Sequence, residues 1–293
     1  MRDEGAMQLI ASPRRSHLRP CMLLTVAVVG ATALGLMATP AIQTSDGAFA
    51  VDGGYTPKPY TDGIVYLGNG CFWERQWAYA VLETDQNGVF RRSRSGVTSI
   101  VGYAGGSAHE QVCYHTGNAS RDYGPLGHAE VVRVSLDATK VSAQFDALAA
   151  DFFASFVGPA GRRSRPDAGD RGTPYRSVVG LPGGTKSPLY EVLVRHNHAW
   201  RMDLKPGRGG LLDADEPNTV WIIDSASYPF YAAEVYHQFH CNFFDSPGMP
   251  YPDWYTVGLW EHQKQAGIIK PTGCPESGQH SPCSTGGWPL GRQ

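Results

Sequence analysis

Short apolar runs alternate with amphipathic segments between residues 64 and 180, and this alternation limits the fold more than any other feature. Runs of β-branched and aromatic residues predict buried strands at residues 64–67, 97–103, 131–136 and 175–180. Residues 72–83 and 141–156 instead place apolar side chains at helical spacing. Strands that alternate with helices are typical of α/β folds, so we expect a two-layer sandwich built on a mixed sheet.

The pattern loosens after Pro182, where glycine and proline become frequent. Residues 190–194 and 220–223 predict two further strands, separated by a glycine-rich segment at 205–210. The proline and glycine content opposes a helix within 181–220. The chain thus divides into three parts: a targeting segment at 1–50, a folded domain at 51–244, and a loop-rich, glycine- and proline-rich tail at 245–293.

The N-terminus has the features of a targeting segment and is kept out of the fold. Arg14 and Arg15 precede an uncharged apolar run at residues 21–38, and a small-residue site follows at 48–50. Because the run ends in small residues and Pro40, we expect a cleaved signal for the secretory pathway. A retained membrane anchor and a twin-arginine or organelle-lumen route are the alternatives.

The charge of the chain argues against one broad class of partner. Its 293 residues carry a formal net charge of −2, and only 18% of them are charged. Non-specific binding to nucleic acid needs a clear basic excess, so we expect no nucleic-acid partner.

The cysteine content indicates redox chemistry. Removal of the signal would take Cys21 with it and leave five cysteines in the mature chain. An odd number in an exported protein predicts at least one thiol that stays reduced or cycles. No C-x-x-C pair occurs in the sequence, so it offers neither a zinc knuckle nor a thioredoxin motif.

Cys71 is the candidate nucleophile. It follows a predicted strand and a glycine turn and stands at the start of a predicted helix, where unpaired backbone N–H groups and the helix dipole stabilise a thiolate. Phe72 and Trp73 come next and offer aromatic walls that suit an apolar methyl group. The competing interpretation is that Cys71 is a small buried hydrophobic residue.

Glu130 is the candidate acid. Gly127-His128-Ala129-Glu130 places its carboxyl group at the mouth of a predicted strand. Near an apolar wall, desolvation raises the pKa of a carboxyl group, so that it stays protonated and donates a proton.

Five motifs follow one another along the chain. They are Gly70-Cys71-Phe72-Trp73, Gly102-Tyr103-Ala104-Gly105-Gly106, Gly127-His128-Ala129-Glu130-Val131, Asp170-Arg171-Gly172-Thr173-Pro174-Tyr175-Arg176-Ser177 and Tyr236-His237-Gln238. Together, in this order and at plausible spacings, they resemble the type A peptide methionine sulfoxide reductases. The resemblance covers residues 62–180 and 228–240, and the sandwich expected with it has a ferredoxin-like core.

The resemblance implies a role for each matching residue. Cys71 would attack the sulfoxide sulfur while Glu130 protonates the oxygen. Phe72 and Trp73 would enclose the methyl group. Asp170 and Tyr175 would support the oxygen and Glu130 through hydrogen bonds.

The resemblance also implies the course of the reaction and its partners. The substrate would be methionine S-sulfoxide, free or in proteins, and Cys71 would become a sulfenic acid. A second thiol would condense with it, and thioredoxin or a similar dithiol would reduce the disulfide. We expect a monomer without cofactor or metal that repairs proteins under oxidative stress.

The sequence departs from the family pattern at two places that bear on the site. Gln76 stands where the family has a glutamate, and we expect it to be structural. His109 stands where the family has a tyrosine before the Val-Cys pair, and a polar insertion with Tyr114 and Tyr123 follows. The group that replaces the lost phenol is left open by the sequence.

The resolving thiol is assigned to the tail. Cys274 is preferred, with Cys283 as an alternative or second relay, because glycine and proline around them would let a thiol swing to Cys71. Cys113 and Cys241 are interpreted as buried packing residues. The competing interpretation is a static disulfide between the two tail cysteines.

Two other functions compete with this hypothesis. His128-Ala129-Glu130 and Pro282-Cys283 resemble halves of a zinc deaminase signature, but Gly286 stands where the second cysteine belongs. A histidine cluster at 237–240 also suggests metal ligands at helical spacing. A secreted, disulfide-stapled binding module would explain the signal and the loops but not the five ordered motifs.

Overall fold

The structure is a computed structural model that describes residues 63–156, 170–210, 216–241 and 251–276, all of them within one compact unit. The strands are β1 (Ile64–Gly68), β2 (Ile100–Ala104), β3 (Ala129–Ser135), β4 (Val178–Leu181), β5 (Asp203–Pro206), β6 (Thr219–Asp224) and β7 (Tyr231–Ala232). The helices are α1 (Phe72–Thr84), α2 (Val141–Ala154), α3 (Tyr190–Trp200) and α4 (Trp260–Gln265), the last preceded by a π-helix at Trp254–Leu259.

The seven strands form one sheet in the order β5-β6-β4-β1-β3-β2-β7. β1 pairs antiparallel with β3 and β4, whereas β6 runs parallel to β4 and β5. The expected α/β fold with a mixed sheet is therefore confirmed.

The side chains of β3 alternate between two faces of the sheet. Val132 and Val134 belong to the main core, which Phe72 of α1, Phe145 of α2 and other helical residues complete. Ala129 and Val131 point to the opposite face and join a smaller apolar cluster. The helices thus cover the face of β3 that also carries Glu130.

The buried face of α1 differs from the predicted one. Val81, expected in the core, is 40% exposed, while Arg75, Gln76 and Glu83 are buried. These polar side chains are tolerated because they are paired: Glu83 accepts hydrogen bonds from the backbone of Thr98 and Ser99. Apolar periodicity alone does not reveal a buried polar face of this kind.

The prediction that residues 181–220 lack a helix, with a strand at 190–194, is wrong. α3 forms there because its 11 residues contain neither proline nor glycine, which are confined to its flanks. Val192 and Leu193 are buried in the main core together with Leu189 of the preceding turn. The helix ends at Arg201 in the left-handed conformation, while the side chain of Asn197 bonds the backbone of Met202.

The region beyond 245, predicted to be loop-like, contains helical structure from Trp254 to Gln265. Tyr255 and Trp260 pack there against Val97 and Ile100, which fixes this part of the tail to the end of β2. No helix in the described part of the chain is long and apolar enough to cross a membrane. The predicted targeting segment at 1–50 lies outside the described residues.

Candidate active site

The turn between β1 and α1 brings Cys71 next to β3. Cys71 is the N-cap residue of α1, as its sequence context predicts. Gly70 has a φ of +99° and donates its N–H to the carbonyl oxygen of Tyr175 at 3.1 Å. A Cβ at Gly68 would lie 2.1 Å from the carbonyl oxygen of Glu130, so only glycine permits this close approach of the two strands.

Glu130 is buried, and both of its carboxyl oxygens accept hydrogen bonds. The Phe72 N–H donates to Oε2 at 3.0 Å, and the Tyr123 hydroxyl donates to Oε1 at 3.2 Å. Burial is the largest cause that raises the pKa of Glu130 from 4.5 to about 8. The negative charge of Asp170 acts in the same direction, and the two hydrogen bonds oppose it. Glu130 is therefore mostly protonated at neutral pH.

Three tyrosines form a hydrogen-bonded cluster beside Glu130. Tyr175 is a hydrogen-bond partner of both Tyr114 and Tyr123, whose rings stack with centroids 5.5 Å apart. Burial raises the pKa of each phenol well above 10, so all three remain neutral hydrogen-bond donors.

Tyr123 supplies the phenol that the family pattern places at position 109. The His109 ring bonds the backbone of Gln111, and the backbone N–H of His109 donates to the Tyr231 hydroxyl oxygen. The sequence signal was the polar insertion with its two tyrosines, but only the fold selects Tyr123 as the one that reaches Glu130.

The aromatic walls beside Cys71 are built from two segments that are far apart in sequence. The ring of Trp73 stacks on His240 with 3.6 Å between the ring centroids, and Phe72 lies 5.3 Å from His237. Burial lowers the pKa of His237 to about 3, so its imidazole is neutral. Sequence reasoning treated these histidines as packing residues or metal ligands and missed that they hold Phe72 and Trp73.

Six of the predicted site residues come together here: Cys71, Phe72, Trp73, Glu130, Asp170 and Tyr175. Asp170 lies close enough to raise the pKa of both Glu130 and Tyr175. Gln76 lies behind the site as a structural residue, since its buried amide bonds the backbone of Ser99 and Phe239. The catalytic roles of the six residues that come together at the site remain predictions.

The tail cysteines are not arranged as the sequence suggested. Cys274 is joined to Cys113 by a disulfide with an S–S distance of 2.06 Å and 5.6 Å between the Cα atoms. Cys113 is thus more than a packing residue, and the partner of Cys274 is Cys113 rather than the second tail cysteine. Cys283 lies outside the described residues. Cys71 and Cys241 carry thiols.

The geometry gives little support to the zinc hypothesis. Both ring nitrogens of His128 are occupied, by the Gly106 N–H and the Ser107 carbonyl oxygen. In the described part of the chain, one group has the spacing of a metal site: Cys113, Glu234 and Cys274. Two of its three members share the disulfide. The surroundings of Glu130, which is buried and accepts two hydrogen bonds, suit a neutral acid better than a residue beside a metal ion.

The site can combine a nucleophile, a neutral acid and an apolar wall. The sequence profile of the family "Peptide methionine sulfoxide reductase" matches residues 63–198. A peptide methionine sulfoxide reductase MsrA of Trichodesmium erythraeum is 30% identical over 193 residues, which are 64% of this chain and 85% of that relative. One of Nautilia profundicola is 31% identical over 190 residues, 63% of this chain and 84% of its own length.

The extent of similarity varies among the relatives. The MsrA of Agrobacterium fabrum is 33% identical over 131 residues, which are 44% of this chain but only 51% of that relative. A solved structure, the methionine sulfoxide reductase A of Corynebacterium diphtheriae, aligns with 62% of this chain and 74% of its own at 18% identity, with a TM-score of 0.34.

Proposed function

This chain belongs to the peptide methionine sulfoxide reductase family, and from that premise we propose that it reduces methionine S-sulfoxide, free or in proteins, to methionine. One observation carries the proposal. The residue that follows Cys71 donates its N–H to Glu130, a buried carboxyl group whose pKa is raised to about 8. The candidate nucleophile therefore lies next to an acid that is neutral at pH 7, because the residue after Cys71 bonds that acid directly.

The proposed first step transfers the sulfoxide oxygen to Cys71. The Cys71 sulfur attacks the substrate sulfur while Glu130 donates its proton to the oxygen, which makes the oxygen a better leaving group. The new bond between the two sulfurs then breaks as the protonated oxygen passes to the Cys71 sulfur, so that the sulfoxide is reduced to methionine and Cys71 is oxidised to a sulfenic acid. The hydrogen bonds from Phe72 and Tyr123 hold the carboxyl group in place during this step.

The aromatic pair would select for the methyl group of the substrate. The Phe72 ring is almost fully buried, and the partly buried Trp73 is held by the stacked His240 ring. Apolar ring surfaces attract a methyl group and offer nothing to the polar sulfoxide oxygen. The oxygen would then turn toward Glu130 and the tyrosine cluster.

A Tyr123→Phe substitution tests the positioning of the acid. The Tyr123 hydroxyl donates to Glu130 and lowers the pKa of that carboxyl group. We expect loss of the hydroxyl to slow reduction several-fold, which is the effect of losing about one hydrogen bond. The falling limb of the pH–rate profile should move to higher pH, because protonated Glu130 persists longer. Tyr114→Phe is the matched control, since its phenol bonds Tyr175 rather than Glu130. An unchanged limb in Tyr123→Phe would contradict this role.

A second thiol would complete the catalytic cycle. It condenses with the sulfenic acid to form a disulfide and water, and an external dithiol such as thioredoxin then reduces that disulfide. Cys274 remains the predicted resolving residue, but its sulfur is bonded to Cys113, so an external dithiol must first reduce this disulfide to two thiols. Cys241 needs no such step: it carries a thiol and directly follows His240, which stacks on Trp73.

Single-turnover experiments distinguish the two candidates when the protein is first fully reduced with dithiothreitol, which opens the Cys113–Cys274 disulfide, and is then freed of the reductant. If Cys241 resolves, Cys241→Ser should produce one equivalent of methionine and accumulate sulfenic acid, while Cys274→Ser forms the Cys71–Cys241 disulfide normally. Mass spectrometry of alkylated peptides identifies the bond in each case. A disulfide between Cys71 and Cys274, lost only in Cys274→Ser, would assign the role to the tail residue instead.

The overall proposal is tested by a stereospecific assay with the two epimers of a methionine sulfoxide peptide and with the free amino acid. We expect turnover of the S epimer with dithiothreitol and, as a separate measurement, with thioredoxin. Turnover of neither epimer would refute the activity. We propose that the protein acts as a monomer in the secretory pathway or an organelle lumen, where it repairs oxidised proteins.

A further inference from the structure

A cavity of about 310 Å³ opens on the face of the sheet opposite Glu130. Its walls are formed mainly by apolar side chains and rings: Ile64, Tyr66, Pro182, Pro229 and Phe230. Tyr66 pairs with Arg133 across β1 and β3, and both lie on the face that carries Ala129 and Val131. The cavity is therefore separated from the reductase site by the sheet itself, and its volume is in the range of small-ligand pockets, which begin at roughly 300 Å³.

Among the described residues that line this cavity, Arg133 has the one charged side chain. Its guanidinium lies 5.2 Å from the centre of the Phe230 ring. Its Nε is buried and, within the described part of the chain, has no hydrogen-bond partner. Burial alone lowers the pKa of Arg133, with no contribution from a nearby carboxylate. In the part of the chain that the structure describes, this partly buried guanidinium therefore has no carboxylate partner.

Two polar side chains near the cavity, those of Tyr66 and Asp224, are already engaged. The Tyr66 hydroxyl donates to the Tyr228 carbonyl oxygen at 3.0 Å. Asp224 is the acid whose charge acts on Tyr66, but its carboxylate accepts hydrogen bonds from Gly183, Ala226 and Ser227. Neither group is directed at Arg133.

Electrostatics indicates that the cavity favours an anion beside Arg133. A partly buried cation without a partner is costly, and an anion that enters the cavity would remove that cost. The planar guanidinium matches a carboxylate through two parallel hydrogen bonds. Because the other walls are mainly apolar, we expect the rest of the ligand to be mainly apolar as well.

We propose that this cavity binds a small monocarboxylic acid with an apolar body, its carboxylate paired with Arg133 and its body packed against the apolar wall that includes Ile64, Pro182 and Phe230. The proposal does not depend on the reductase activity, since the two sites lie on opposite faces of the sheet.

The ligand chemistry is tested on the full ¹⁵N-labelled chain with three probes. 3-Phenylpropionate carries both the carboxylate and the apolar body, 3-phenylpropionamide lacks the charge, and inorganic phosphate lacks the body. We expect saturable shifts of backbone amides at 64–66, 133 and 225–230 with the acid, and affinity at least tenfold weaker for the other two. Shifts centred elsewhere, equal affinity for all three probes, or no binding of the acid would overturn the proposal.

Substitutions assign the binding to the arginine. Arg133→Met keeps the apolar stem and removes the charge, so it should weaken acid binding at least tenfold, while Arg133→Lys should retain part of the affinity. Arg201→Met, at an exposed position, is the control and should bind as the wild type does. Sulfoxide reduction by Arg133→Met should stay within twofold of the wild type, which also reports that the variant is folded. Acid binding by Arg133→Met at wild-type affinity would refute the proposal, and if this variant failed to fold, the three-probe comparison on the wild type would still decide.

Discussion

Replacing Cys71 with serine is expected to abolish sulfoxide reduction, with a loss of at least about a thousandfold. The serine hydroxyl is nearly isosteric with the thiol, but it is a far weaker nucleophile and cannot form the sulfenic acid or the later disulfide. The N-cap position of α1 should be preserved, because serine is a favourable residue there. The measurement is turnover of the S-sulfoxide epimer with dithiothreitol as the reductant.

The controls are serine substitutions at the other described cysteines. Dithiothreitol reduces a sulfenic acid directly, so Cys241→Ser should keep turnover in this assay whichever thiol resolves in vivo. The same holds for Cys274→Ser, although loss of the Cys113–Cys274 disulfide should lower thermal stability. Activity retained by Cys71→Ser would show that the nucleophile has been misassigned.

Replacing Glu130 with glutamine is expected to slow reduction roughly a hundredfold or more, the usual contribution of a general acid. The amide oxygen can still accept a hydrogen bond from the Phe72 N–H, so the fold should be kept. What is lost is the proton that the sulfoxide oxygen needs as it leaves the substrate sulfur. Single-turnover rates measure this step separately from the recycling of Cys71.

The pH dependence provides the internal control for this variant. The acid is active when protonated, and the pKa of Glu130 is raised to about 8, so the wild-type rate should fall as the pH rises through 8. In Glu130→Gln this falling limb should be absent, because the amide does not titrate. A limb near pH 8 that survives in the variant would assign the titration to another group.

The local parts of the site could be predicted from sequence. Gly70-Cys71-Phe72-Trp73 identifies a strand, a tight turn and a helix start, since each depends on residues within one or two turns of the chain. The raised pKa of Glu130 was also predictable from sequence, because the carboxyl group lies at the mouth of a predicted strand near an apolar wall.

Other parts escaped sequence reasoning because they depend on contacts between distant residues. α3 was missed since its proline- and glycine-rich flanks were averaged with a helix-compatible core. The polar residues on the buried face of α1 bond to groups well outside the helix. The spacing of apolar residues alone therefore predicted the wrong buried face. The tail was predicted to be loop-like, but Tyr255 and Trp260 join an apolar cluster with Val97 that holds part of it against the domain.

The sequence alone predicted the candidate reacting pair, Cys71 and Glu130, and the α/β class of the fold, which the structure confirms. The tertiary structure decided that Tyr123 rather than position 109 bonds Glu130, and that Cys274 pairs with Cys113 across 161 residues. The physical reason is one of range. Strands, turns and helix starts follow from neighbouring residues, whereas a phenol's partner or a cysteine's mate depends on where folding places groups that the sequence keeps far apart.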